Sequence, residues 1–552
     1  MVLSWIDWLI ILGFLGLSWY LSTQYHKQKL VDLNDYFLGG RNLPWYVAGI
    51  SIVATTFAAD TPLAVAEIVA LNGISGNWIW WNALAGGLLT AIFFAKLWHR
   101  SGVLTEAELI ELRYSGKPAR FLRRFKGVYL GLFMNSLVIG WVNLAMISIV
   151  QVLLGITESQ SFTIVAGLML FVTAYSTISG LRGIAIVDVM QFSLAMVGSL
   201  ILAWFVVSSP EVGGVDGLVS NLSDKGTLNF FPQLGESSDL SQIYVVPLGS
   251  LIGFLAFQWW ASWYPGSEPG GGGYVAQRMM STKTDKDALK ATVLFQVLHY
   301  CVRPWPWILV GLAAIVLYPE LASDEKRLGF VYAIRDFLPT GAKGLMAAAF
   351  LGAYMSTIST QINWGAGLLI NDVLLVKEKK QTNQLKLSRM ISLLLAVFAL
   401  AVTTQLTSIK AVWEFVFQAG AGLGLVLILR WYWWRVNVFS EIAATIAPFV
   451  TYFWLQFTES GKQFRQSLGG GYDYIFVVLA TTLVWLFVTY LTRPEKTATL
   501  LKFYEKVRPN GAWSVVGHKV NYSDLVKKFS TWIALTIMVY SVLLIIGKII
   551  FS

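Results

Sequence analysis

Ser356-Thr357-Ile358-Ser359-Thr360 places four hydroxyls near the middle of an apolar stretch long enough to cross a bilayer, with Gly344–Met355 before it and Gln361–Asp372 after it. Hydroxyl and carbonyl oxygens are hard ligands, suited to a small hard cation such as Na⁺. The competing use of each hydroxyl is a hydrogen bond back to the carbonyl of the preceding turn, which is common in membrane helices. An earlier span is interrupted at Ala54-Thr55-Thr56-Phe57-Ala58-Ala59-Asp60-Thr61-Pro62. Unwinding near Ala54 to Phe57 frees backbone carbonyls that cannot stay unsatisfied in lipid. A cation held between those oxygens and the hydroxyls of Ser356 and Thr357 meets both needs. A Pro62 kink repaired by neighbouring helices accounts for the same spacing.

Ionisable groups inside apolar spans are costly and therefore functional candidates. Asp188 lies a turn or two into its span, where Arg182 is a possible structural partner; Asp60 lies deeper, where a coupling proton or a substrate amine would suit it. His299 and Arg303 are four residues apart and share a helix face, just before Pro304-Trp305-Pro306-Trp307. Either Arg303 is fixed by an internal ion pair with Asp60, or the fork and the imidazole recognise a carboxylate or polyhydroxylated solute. Thr56 at the first interruption, and Gln258, Trp259 and Trp263 beside a second one, are further candidate substrate contacts. Other tryptophans, such as Trp78, Trp80, Trp81 and Trp431, read as interface belts. The run Gly270–Gly273 lacks the Lys-Ser/Thr of a phosphate loop, and the four histidines show no metal-ligand spacing. No catalytic constellation emerges, so an enzyme is not expected.

The elements that carry these residues are membrane helices. The 552 residues are 56% hydrophobic and 13% charged, with a mean hydropathy of +0.61, which excludes a soluble globular protein. Runs of roughly 20 apolar residues fall near 4–24, 43–70, 75–98, 126–155, 160–178, 183–208, 245–265, 288–318, 341–371, 387–406, 411–434, 438–457, 472–492 and 530–551. The expected fold is all-α and polytopic, with about fourteen transmembrane helices. The net charge of +10 implies no nucleic acid, because the basic residues lie on alternate connections. Lys27, Lys29, Arg41, the cluster Arg113 to Lys126, Arg278 to Lys290, and Lys377 to Lys380 share one side, while Glu211, Asp216, Glu236, Asp239 and Glu320 take the other. The positive-inside rule then puts both termini outside in a multi-pass plasma (inner) membrane protein, with Lys326, Arg327, Lys462 and Arg465 as exceptions. Cys301 is the single cysteine, so no disulfide can form within the chain.

Interrupted helices open two successive five-helix sets, 43–208 and 245–435, and the odd number in each inverts the second relative to the first. Matched breaks of this kind point to a transporter site near the bilayer midplane. Residues 1–42 add an extra N-terminal helix and a cytoplasmic connection, 209–244 an extracellular loop, and 436–552 peripheral C-terminal helices. Within the last, 493–529 forms a cytoplasmic linker whose amphipathic stretch 500–507 is expected on the membrane surface.

These residues resemble the sodium/solute symporter family, which contains sodium/glucose, proline and sialic acid transporters. The likeness is carried by Asp35-Tyr36-Phe37-Leu38-Gly39-Gly40-Arg41-Asn42-Leu43-Pro44-Trp45, by Gly183 to Gln191, by Tyr274-Val275-Ala276-Gln277-Arg278, and by Met355-Ser356-Thr357 continuing to Asn371-Asp372. The resemblance implies a LeuT-type 5+5 inverted repeat. It implies one sodium held by the carbonyls of Ala54, Phe57 and Ala353 with the hydroxyls of Ser356 and Thr357. A second sodium would be held by Asp188, Ser356, Ser359 and Thr360, giving two per cycle. His299 falls where sugar-transporting relatives place a polar substrate contact, and Thr61 falls near another. The chain departs from the family at Pro265–Gly273, a Pro/Gly-rich insertion, and lacks the usual acid of sugar transporters in the 75–98 helix, where Asn82 is the nearest polar residue. The implied activity is sodium-coupled symport of a small polar organic solute, with sugar or sugar acid ahead of amino acid or quaternary ammonium. A membrane sensor with a transporter-like body is the alternative from another class. The expected partners are that solute and the lipid bilayer.

Overall fold

The computed structural model describes residues 3–24, 30–223, 226–235, 245–264, 266–323, 325–374, 381–406, 412–413, 415–416, 419–470 and 472–552. Lys27, Lys29, Glu236, Asp239, Pro265 and Lys377 to Lys380 therefore lie outside the described residues. In chain order the main helices are α1 (Trp5–Gln24), α2 (Trp45–Thr55), α3 (Asp60–Asn72), α4 (Ile74–Ser101), α5 (Gly116–Leu154) and α6 (Glu158–Val207). They continue with α7 (Leu248–Ala261), α8 (Gly273–Ser281), α9 (Asp285–Leu317), α10 (Ala342–Val373), α11 (Asn383–Thr403) and α12 (Leu423–Tyr432). The last are α13 (Val438–Phe457), α14 (Glu459–Leu468), α15 (Tyr472–Leu491), α16 (Thr497–Val507) and α17 (Tyr522–Ile550).

Among the described residues ten of these helices are long and apolar enough to cross a bilayer, and α2 with α3 forms a further span bent by 60°. At 1.5 Å per residue α6 would be about 75 Å long, more than twice the hydrocarbon thickness. It is in fact two helical arms joined at Gly180, whose backbone sits at φ 62, ψ −168. A Cβ there would stand 2.9 Å from the Tyr36 carbonyl oxygen, so conformation and space both require glycine.

The centre of the bundle is α10, 94% of whose most apolar window is buried. That explains how it can carry so many hydroxyls: its polar residues face other helices and not lipid. The extra N-terminal helix is tied to it by Asp7. This carboxylate accepts from the backbone N–H groups of Gly341 (2.7 Å) and Gly344 (2.8 Å), satisfying donors at the start of α10.

Both interruptions are present. The chain leaves helix at residues 56–59, and Pro62 sits in the first turn of α3, where its missing N–H belongs to the unbonded set anyway. Pro62 thus starts a second helix, in place of a kink in a continuous one. The second break spans 262–272. There Trp263 N–H donates to Gly420 O (3.1 Å) and Gly422 N–H to Ala261 O (3.0 Å), so two interrupted segments complete each other's backbone bonding.

Two further expectations meet a different outcome. The amphipathic stretch 500–507 docks on protein: Leu500, Phe503 and Val507 are fully buried, with Phe503 against Trp431 and Trp513. Three exceptions to the charge rule are answered locally. Lys462 pairs with Glu459 (3.4 Å), Arg465 with Asp473 (3.2 Å), and Lys326 donates to Pro319 O (3.2 Å).

Candidate sodium and solute site

The break between α2 and α3 meets α10 through hydroxyl-to-carbonyl contacts. Ser356 Oγ lies 3.0 Å from both Ala54 O and Ala353 O, and Thr357 Oγ1 lies 2.9 Å from Thr55 O and 3.2 Å from Ala353 O. Each hydroxyl has one proton to divide between two carbonyls, so the cluster holds more lone pairs than donors. Neutral, hard, buried oxygens in excess suit Na⁺, and Ser356 and Thr357 are 1% and 3% exposed. Four of the five expected residues converge here. Phe57 follows one residue beyond the turn, its N–H donating to Ala54 O (3.0 Å) and its ring 4.6 Å from that of Trp307. Thr55 was not anticipated. Its carbonyl serves Thr357 and its hydroxyl reaches Thr360 Oγ1 at 3.1 Å.

The second expected set is arranged around a guanidinium. Asp188 Oδ2 accepts from Ser51 Oγ (2.5 Å) and faces Arg278 Nη2 at 3.6 Å, so its ion-pair partner is Arg278. The same Nη2 donates to Thr360 Oγ1 (2.6 Å), and Arg278 Nε donates to Ser51 Oγ (3.1 Å). Ser359 turns back onto Ser356 O (3.1 Å), and Asp188 Oδ1 has no hydrogen-bond partner. Asp188 and Thr360 are therefore brought together, with Arg278 between them.

Above the break, Thr56, His299 and Arg303 form a closed polar triad. Thr56 Oγ1 donates to Val53 O (2.9 Å), accepts from Arg303 Nη1 (2.9 Å) and lies 3.1 Å from His299 Nδ1. Arg303 Nη2 is 3.2 Å from His299 Nε2. A guanidinium only donates, so Nε2 accepts and Nδ1 carries the imidazole proton toward Thr56. His299 lies in a π-helical turn, 298–302, which rotates its side chain relative to a regular helix. The Arg303 guanidinium also covers the Trp307 ring at 5.3 Å.

Asp60 is buried with Oδ1 unpartnered, and no ion pair within 4 Å joins it to Arg303. Thr61 Oγ1 donates to Thr56 O (3.4 Å), beside the triad. Asn82 donates to Trp78 O and Ile79 O, both at 2.9 Å, and keeps a buried, unpartnered Oδ1. Gln258 donates to Ile79 O (3.3 Å), Trp263 is buried at the backbone crossing with Gly420, and the Trp259 ring faces Trp532 of α17 at 5.7 Å. Besides Trp307, an indole next to the triad is Trp80, 5.8 Å from His299 and stacked on Tyr300 at 5.6 Å. Its sequence neighbours, two more tryptophans, concealed it among belt residues.

Two broken helices crossing at mid-bundle, one of them clasped by hydroxyls of a central helix, define a secondary-transporter core. The chain belongs to the sodium:solute symporter family, whose model matches residues 36–447. It is 24% identical over 501 residues to the sodium/glucose cotransporter of Vibrio parahaemolyticus, covering 86% of this chain and 88% of that one. It is also 24% identical over 498 residues to the sodium/sialic acid symporter NanT of Aliivibrio fischeri, covering 85% and 88%. Against the longer mouse solute carrier family 5 member 4B the chain spans 56% of that protein's length. The solved structure of a Na⁺-coupled sialic acid symporter, in a substrate-bound outward-open state, shares the fold with a TM-score of 0.70 at 16% identity, over 89% of this chain and 99% of that one. The LeuT-type architecture expected from the resemblance is thereby established.

Proposed function

We propose that this family member imports a small polar organic solute, a sugar or sugar acid, by coupling it to inward Na⁺ movement through alternating access. The observation that carries this reading is the clasp of the α2–α3 break by Ser356 and Thr357. Na⁺ would be held by carbonyls of Ala54, Phe57 and Ala353 and by those two hydroxyls, stabilising the conformation in which the break and α10 are in register. Coupling then requires only that ion and solute each bind one conformation better than the others, a difference worth roughly 1–3 kcal/mol. The solute would displace the internal bonds of Thr56, His299 and Arg303. A fork, an imidazole and a hydroxyl suit the oxygen-rich face of a sugar or the carboxylate of a sugar acid. Asp60, Thr61, Asn82, Gln258 and Trp263 are assigned to the surrounding shell.

Asp188, Ser356, Ser359 and Thr360 form the second proposed sodium set, and the ion there competes with Arg278 for Asp188 and Thr360. Two Na⁺ per cycle follow when Arg278 withdraws from Thr360, and one when it does not. The repeats are assigned to 43–208 and 245–435, with both termini on the outer face of the plasma or inner membrane. Proteoliposomes loaded without Na⁺ and given an inward Na⁺ gradient test the activity. Gradient-dependent accumulation of a sugar or sugar acid is expected, whereas absence of accumulation of every solute tried favours a sensor with a transporter-like body.

A further inference from the structure

The second break contains the insertion that sets this chain apart from the family pattern, and it carries a buried acid that pairs with no cation within 4 Å among the described residues. Glu268 is 5% exposed, and neither of its carboxylate oxygens has a hydrogen-bond partner. Facing it across the Gly272–Gly273 backbone is Glu106, from the connection between α4 and α5, whose Oε1 is also closed off and unpartnered. The space between the two is kept clear by glycine. A Cβ on Gly272 would stand 2.8 Å from Glu106 Oε2 and 3.2 Å from both Cβ and Cγ of Glu268. One on Gly273 would strike Glu268 Oε1, at a residue whose φ of +55 favours glycine in any case.

The surrounding cations are engaged elsewhere. Glu106 faces Arg430, Lys126 and Glu441, and Arg430 is held by Glu441 at 3.2 Å, with Tyr114 donating to the same carboxylate at 3.1 Å. Arg113 directs its guanidinium to the carbonyls of Arg430, Trp433, Trp434 and Val436. Tyr274 is the remaining titratable neighbour of Glu268. Arg113 is a third cation beside Glu441, so the charges are equal in number. Among the described residues, however, neither Glu268 nor Glu106 has a cation within 4 Å, and two adjacent carboxylates with buried oxygens are costly unless a counter-ion joins them. The same loop passes beside the solute region at Gly266, where an added Cβ would stand 3.1 Å from the Thr56 methyl.

We propose that Glu268 and Glu106 bind one monovalent metal cation at a site separate from the Ser356–Thr357 clasp. All its free donors are carboxylate oxygens, which suit a hard ion, and the choice of Na⁺ rests on the sodium-coupled reading above. The test is equilibrium binding of ²²Na⁺ to the purified full-length protein in nanodiscs at pH 8. E268Q and E106Q, which keep shape and remove charge, are each expected to bind one Na⁺ fewer than wild type or to weaken one class of site at least about tenfold. G272A, which leaves both carboxylates and fills the gap, is expected to lose the same ion, so the outcome does not depend on one variant's folding. T357A is expected to lose a different Na⁺. If T357A binds like wild type while E268Q does not, the clasp assignment fails and this site stands. Wild-type number and affinity in E268Q, E106Q and G272A overturn the proposal, as does an infrared carboxylic-acid band at pH 8 that E268Q removes, which would identify a proton as the occupant.

Discussion

The two helix breaks solve one problem in opposite ways. At residues 56–59 the freed carbonyls are met by side-chain hydroxyls of α10, whereas at 262–272 the backbone is met by the backbone of Gly420 and Gly422. A hydroxyl can exchange a carbonyl for an ion by rotating one torsion, but a backbone pair can be replaced only by moving a helix. The first break is therefore suited to reversible ion binding, and the second to holding two interrupted segments in register while its loop presents other groups. The lesson is that an interruption in a membrane helix is informative through what satisfies it, since unsatisfied backbone is excluded at both.

Mutations that act on one break and spare the other sharpen this contrast. The largest effect is expected for Thr357→Ala, which removes a clasp hydroxyl: Na⁺-driven uptake in proteoliposomes should fall to the level without a gradient, a loss on the order of 100-fold for full uncoupling. Wild-type Na⁺ dependence in that variant would refute the assignment. Next, Arg303→Lys keeps the charge but loses the planar fork, and should raise the half-saturating solute concentration by about tenfold while leaving the Na⁺-dependent thermal shift intact. Trp80→Ala and Trp259→Ala form a pair. Solute affinity should drop several-fold for Trp80, by about 1 kcal/mol of aromatic contact, and stay near wild type for Trp259, whose ring faces α17; equal losses would return the second break to the solute site. The smallest change is expected for Ser359→Ala, whose hydroxyl rests on its own helix. Transport should persist, with a lower Na⁺-to-solute ratio by dual-isotope flux.

Much of the fold was legible because hydropathy is a local property. Long apolar runs became helices, with 160–178 and 183–208 as the two arms of α6 and 411–434 partly outside the described residues. The Gly/Pro-rich stretch became the second break, and two of the four hydroxyls of α10, Ser356 and Thr357, form the clasp. That Ser356 and Thr357 meet carbonyls of the Ala54–Phe57 stretch could be anticipated, since freed carbonyls in lipid demand a donor or an ion, although the particular use of Thr55 O could not. Arg278 could not be placed beside Asp188, because residues ninety positions apart in sequence meet only once the helices have packed. Trp80 shared the signature of a belt tryptophan. The 500–507 stretch had the amphipathic pattern of a surface helix, and an apolar stripe looks the same whether it covers lipid or protein.

Composition and spacing were enough to establish an all-helical membrane protein, the location of its two interruptions, and hydroxyls at a depth where only ligands or neighbours explain them. These follow from transfer energies that each residue carries wherever the chain goes. Which oxygens face which side chain, that Arg278 stands between Asp188 and Thr360, and that Glu268 meets Glu106 across a glycine backbone were settled by packing. Charge and hydrogen-bond energies depend on separations of a few ångströms, and those separations exist only once the helices have crossed.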